Sequence, residues 1–79
     1  MASEHIQALV LTAQGDWDGA HHLIQECHDE LACMIHGYLH MEEGDLSNAG
    51  YWYSRVGQDV PESDLEYEFQ RLYKLAEGE

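Results

Sequence analysis

The side chains best suited to chemistry in this 79-residue sequence are its six histidines, His5, His21, His22, His28, His36 and His40. His36 and His40 stand at i and i+4, the spacing at which one helix face brings two imidazoles to a single ion, as in helical zinc sites. Glu43 follows three residues later and can add a carboxylate oxygen, and Cys33 can offer a thiolate from near the same face. His36, His40, Glu43 and Cys33 therefore form a candidate set for zinc or another transition metal. Gly37 occupies the place where an H-E-x-x-H helix carries its general base, so the metalloprotease motif is absent. His21-His22 is a weaker pair, because adjacent rings diverge by about 100° around a helix axis.

Other constellations give no catalytic assignment. Ser47, Ser54 and Ser63 suit turns, helix surface or caps better than a nucleophile elbow. The glycines lack the spacing of a phosphate-cradling loop, and Lys74 stands too late to serve one. Carboxylate pairs such as Asp29-Glu30 and Glu42-Glu43 are unavoidable in a chain with 16 acidic residues. Cys27 and Cys33 read as small buried hydrophobes with free thiols.

Charge narrows the class further. Only Arg55, Arg71 and Lys74 oppose the 16 acids, giving a formal net charge of −13 and no Lys or Arg before position 55. Phosphate-backbone binding needs clustered cations, so nucleic acid is excluded, and an anionic membrane surface would repel the chain. No apolar run approaches the ~20 residues of a membrane span, and MASEHIQ lacks the basic and apolar regions of a signal peptide. A cytoplasmic location is the expectation. The acidity favours a basic partner, through steering more than through affinity.

The elements that must carry these residues are helices. Apolar residues recur at i, i+3, i+4, i+7 in Ile6, Leu9, Val10, Ala13 and in Ala20, Leu23, Ile24, Cys27. Leu31 to Met41 is apolar around most of its circumference, and two further stripes are Ala49, Trp52, Tyr53, Val56 and Leu65, Phe69, Leu72, Tyr73, Ala76. No stretch alternates with period two. Gly15-Asp16 and Gly44-Asp45 each place a left-handed helix-ending residue before an N-cap, and Ser63-Asp64-Leu65-Glu66 reads as a capping box. The spacing predicts helices over 3–14, 17–27, 30–43, 46–56 and 64–77. Fold class is all-α, one domain over 1–79: two tandem αα-hairpins, about 3–28 and 29–57, with a C-terminal capping helix over about 63–77.

A shift of 29 residues lays Gly15-Asp16-Trp17 on Gly44-Asp45-Leu46 and Ala20, Leu23, Ile24, Cys27 on Ala49, Trp52, Tyr53, Val56. Over about residues 4–61 the chain resembles a tetratricopeptide repeat, with Gly37, Ala49, Tyr53 and Pro61 in the signature's small, alanine, aromatic and proline slots. Ala8 and Ala20 take the equivalent places in the first unit. Two departures stand out: the period is 29 where the repeat has 34, and Cys33, His36 and His40 replace the signature's Trp, Leu and Tyr. The stretch Leu39-His40-x-x-Glu43-Gly44-Asp45-x-x-Asn48-Ala49-x-Tyr51-Trp52-Tyr53 also resembles a group of small uncharacterised proteins. The repeat resemblance implies a short solenoid that binds a protein or peptide in a groove and has no catalytic activity.

The two sides of the third helix pose the functional question. Leu31, Met34, Ile35, Tyr38 and Met41 lie on one side, whereas Asp29, His36, His40 and Glu43 share roughly 60° of arc on the other. A central helix can be covered on both, with His36 and His40 beside Trp52 and Tyr53. The leading expectation is a non-catalytic interaction module without a cofactor. Its contact stripe is Leu31, Met34, Tyr38 and Met41, and it takes a partner helix, a basic peptide or a second copy as a homodimer. The alternative is a metal-binding protein using His36, His40, Glu43 and Cys33.

Overall fold

The computed structural model of the chain describes residues 3–78. Five helices, α1 (Glu4–Ala13), α2 (Trp17–Ile24), α3 (Glu30–Glu42), α4 (Leu46–Ser54) and α5 (Leu65–Glu77), make an all-α fold with no strand among the described residues. None of these helices is long and apolar enough to cross a membrane.

Each helix begins on a side-chain oxygen that satisfies an otherwise unpaired backbone N–H. Ser3 accepts from Ile6, Asp16 from Gly19, Asp29 from Ala32, Asp45 from Asn48 and Asp64 from Tyr67. The fifth cap thus falls on Asp64, one residue after the expected Ser63. This register places Tyr67 where a capping box needs Glu or Gln, so no box forms. Glycine ends three helical segments: Gly15, Gly44 and Gly57 have φ of 83°, 82° and 75°. The next N–H reaches back across each turn, Asp16 to the Leu11 carbonyl, Asp45 to that of His40 and Gln58 to that of Tyr53, at 2.9–3.0 Å.

α2 stops at Ile24, short of the expected Cys27. The chain turns through Gln25–Glu26 because Asp29 must be extended, at ψ 170°, to cap α3. Asp29 also accepts from His5 Nε2, at 2.9 and 3.0 Å to its two oxygens, tying the start of α1 to the start of α3.

α1 packs on α2 and α3 on α4, each pair joined by a Gly-Asp turn, while α5 lies across α3 and α1. α3 is the central element: Ala32 through His40, nine consecutive residues, are all buried. The α3–α4 approach depends on Gly37, where an added Cβ would come within 2.7 Å of the Tyr53 ring and 3.2 Å of the Ala49 carbonyl. Tyr53 donates its hydroxyl to the fully buried Glu68 of α5 at 2.6 Å. Arg71 grips the same carboxylate through Nε at 2.7 Å and Nη2 at 2.8 Å. This network anchors α5 across the α3–α4 pair.

Candidate metal centre

The histidine side of α3 is closed by aromatic side chains from α2 and α4. On α2, Trp17 and His21 stand one turn apart and stack, centroids 4.8 Å apart and planes 9° apart. Trp17 Nε1 donates to the Leu39 carbonyl at 2.7 Å, which fixes this face of α2 against α3. On α3, His36 and His40 stack at 5.0 Å and 27°. On α4, Trp52 lies flat against His36, 3.8 Å away at 13°, with the Arg55 guanidinium 5.0 Å from the Trp52 ring.

His21 completes a triangle with the α3 pair, its centroid 4.6 Å from His36 and 5.4 Å from His40. One ring nitrogen from each of the three lies within 4.8 Å of the other two. A tetrahedral ion with Zn–N bonds of about 2.0–2.1 Å needs its donors about 3.3 Å apart. Side-chain rotations that draw in the widest pair by at most about 1.5 Å would meet that requirement. Among the described residues, His21 and His36 make ring contacts and no hydrogen bond to protein, so their nitrogens are uncommitted.

The electrostatics favour the ligating, neutral form. Burial pulls the His36 imidazole down to about 4, with the neighbouring His21, His40 and Arg55 acting in the same direction. Burial also lowers His21, aided by His40 and opposed by the charges of Glu43 and Asp18. Both rings are therefore neutral at pH 7, with lone pairs available to a cation.

Glu43 meets the cluster from outside. Its Oε1 lies 2.6 Å from His40 Nδ1, and Glu43, His40 and Asp45 form a second, more exposed group of possible donors. Asp45 is engaged in capping α4, accepting from the Asn48 N–H at 3.2 Å. Cys33 falls outside both groups. It is buried one turn before His36, with its Sγ 3.9 Å from the His28 carbonyl, because α3 side chains lean toward the helix start and this one meets the α2–α3 turn. The candidate donors thus become His21, His36 and His40, with Glu43 behind His40. His21 escaped the spacing argument because its partners lie on another helix. The available signal was the Trp17–His21 pair at i, i+4, flanking the apolar stripe of α2.

The stripe expected to contact a partner is covered largely within the chain. Met34 and Tyr38 are buried, and Leu31 and Met41 are half-buried. Phe69 of α5 sits 6.1 Å from the Tyr38 ring, and Arg71 Nη2 reaches Met34 Sδ at 3.8 Å. A separate hollow of about 440 Å³ is bordered by Ser3, Glu4, His5, Cys27 and Asp29. There Cys27 donates its thiol to Glu4 at 2.7 Å, and that bond, with burial, pushes the thiol up to about 11, too high for a nucleophile at neutral pH.

Comparison of the chain with protein-family models, curated proteins and solved structures finds no match.

Proposed function

We propose that the protein binds a transition-metal ion, of the zinc class, through His21, His36 and His40. The observation that carries this reading is the convergence of three ring nitrogens, one from α2 and two from α3, within 4.8 Å of one another. Three imidazoles without a thiolate suit divalent zinc, copper or nickel, and leave magnesium and calcium, which prefer oxygen, poorly served. Trp17 and Trp52 hold two of the rings by stacking, so the donors are partly organised before an ion arrives. Glu43 and Asp18 bring negative charge to the cluster, opposed by the Arg55 guanidinium over Trp52.

The test is elemental analysis of protein purified without a histidine tag, loaded with zinc and dialysed. One zinc per chain is expected, with near-complete loss in His21→Ala, whose half-buried ring can be removed without opening the core. Copper loading adds a second readout, quenching of tryptophan fluorescence by an ion held beside Trp17 and Trp52. Zinc-free wild type, or unchanged stoichiometry in His21→Ala, refutes the site.

A second reading, the tetratricopeptide-like interaction module, draws support from α1. Ile6, Gln7, Val10 and Leu11 line a hollow of about 380 Å³ whose walls are mostly apolar. Because α5 and the core take up most of the Leu31–Met41 stripe, this α1 face is an apolar surface that a basic partner helix or a second copy could use instead. Sedimentation across a concentration series tests the homodimer, and a monomer throughout eliminates it.

A further inference from the structure

Helix α3 ends in a turn whose backbone is fixed at several points. The Glu43 N–H meets the Leu39 and Met41 carbonyls, Gly44 takes φ 82°, and the Asp45 N–H returns to the His40 carbonyl at 2.9 Å. The Leu39 carbonyl in the same turn accepts from Trp17 Nε1, so the turn is registered against α2, which carries His21. The Glu43 side chain folds back over this turn and places Oε1 2.6 Å from His40 Nδ1. His40 is buried while Glu43 is exposed, so a water-accessible carboxylate meets Nδ1 of a buried ring.

An ionised carboxylate only accepts hydrogen bonds, so this contact requires the His40 proton on Nδ1. The lone pair is then on Nε2. Metal-ligating histidines are oriented in this way by carboxylates that receive the other ring N–H, which fixes the tautomer and makes the ligand more basic. We infer that Glu43 is a positioning residue of the proposed metal centre, holding His40 as its Nδ1–H tautomer with Nε2 free for the ion. The inference rests on the metal-binding reading and adds a residue that does not touch the ion. The carboxylate of Asp45, the other acid near His40, makes no hydrogen bond to the ring and turns both oxygens to Asn48, Oδ1 to its N–H and Oδ2 to its side-chain amide.

The experiment uses the full chain and zinc as the probe. In metal-free wild type, nitrogen-15 NMR should find the His40 proton on Nδ1, and Glu43→Ala should shift the ring toward a tautomer mixture. Zinc competition titrations should show a dissociation constant raised about 10- to 100-fold in Glu43→Ala. Glu43→Gln, which keeps an acceptor without the charge, should fall between the two. A merely structural pair would also shift the tautomer when broken, but would leave the zinc affinity of a variant that still folds unchanged. Wild-type zinc binding matched by Glu43→Ala, or a His40 proton on Nε2 in wild type, overturns the role of Glu43. Wild type that takes up no zinc overturns the metal reading itself, a different result from a different sample.

Discussion

Acid should destabilise the metal-free protein through His36. The perturbation is a fall in pH from 7 to 5 in the presence of a chelator. His36 is buried against Trp52, and its folded-state pKa of about 4 lies below the ordinary imidazole value of 6.5. Between those values the unfolded chain binds the proton and the folded chain does not, so stability rises with pH across this window. The contribution is complete above pH 6.5 and is lost progressively as pH falls toward 4. At 1.36 kcal/mol per pKa unit, the whole window is worth about 3 kcal/mol, of which about 2 kcal/mol disappears between pH 7 and 5. For a domain of this size that corresponds to roughly 8–16 °C in Tm. Protonation elsewhere acts at the same time, because neutralising acids relieves the self-repulsion of a chain with net charge −13. The comparison is therefore with His36→Phe, which keeps a flat ring against Trp52 and cannot titrate. Groups common to both proteins cancel in the difference. Differential scanning calorimetry at pH 7, 6 and 5 should show wild type losing about 2 kcal/mol more than the variant. Parallel curves would refute the reasoning, because they would mean that His36 is protonated as readily in the fold as in water.

Two further substitutions test the packing that places the site. Gly37→Ala should cost about 1–3 kcal/mol by denaturant titration, since the new Cβ meets the Tyr53 ring at 2.7 Å and that ring is held by Glu68. A neutral result would mean that α3 and α4 can separate freely. Arg71→Ala should cost about 3–5 kcal/mol, because it leaves the buried Glu68 carboxylate with only the Tyr53 hydroxyl. A loss below about 1 kcal/mol, the range of an exposed pair, would show that water reaches Glu68.

The local half of this structure was legible in the sequence and the nonlocal half was not. Helix count, the Gly-Asp turns and the Asp caps follow from chemistry within a few residues, and all five helices lie close to their expected spans. Where one residue serves two structures, the local rule slipped. Asp29 caps α3 and also holds His5, and α2 ends at Ile24, before the expected Cys27. At α5 two adjacent residues could cap, and Asp64 rather than Ser63 takes the Tyr67 N–H. His36, His40 and Glu43 were legible because they share one helix face. His21 joins them only through the α2–α3 packing set by Trp17 and the Leu39 carbonyl, a contact between residues 22 positions apart. Cys33 had acceptable spacing, but the turn before α3 receives its thiol instead.

The histidines also bear on how so short a chain is held together. A domain of this length buries only about 60% of its unfolded surface, so its core gives thin stability and commonly needs a supplement. Apolar side chains at positions 36 and 40 would add to that core at any pH, whereas the buried His36 imidazole carries the acid liability worked out above. On the metal reading the ion makes up the difference. At a free concentration 100 times its dissociation constant, a ligand bound only by the folded state adds about 2.7 kcal/mol, comparable to what His36 loses over its whole titration. Placement fits that role, because the donors come from α2 and α3, one from each helical pair. An ion there would fasten the first pair to the second on the histidine side, opposite the face that α5 already closes through Phe69, Arg71 and Glu68. Zinc should therefore raise the Tm of wild type and leave that of His21→Ala unchanged, although His21 itself contributes little to the core.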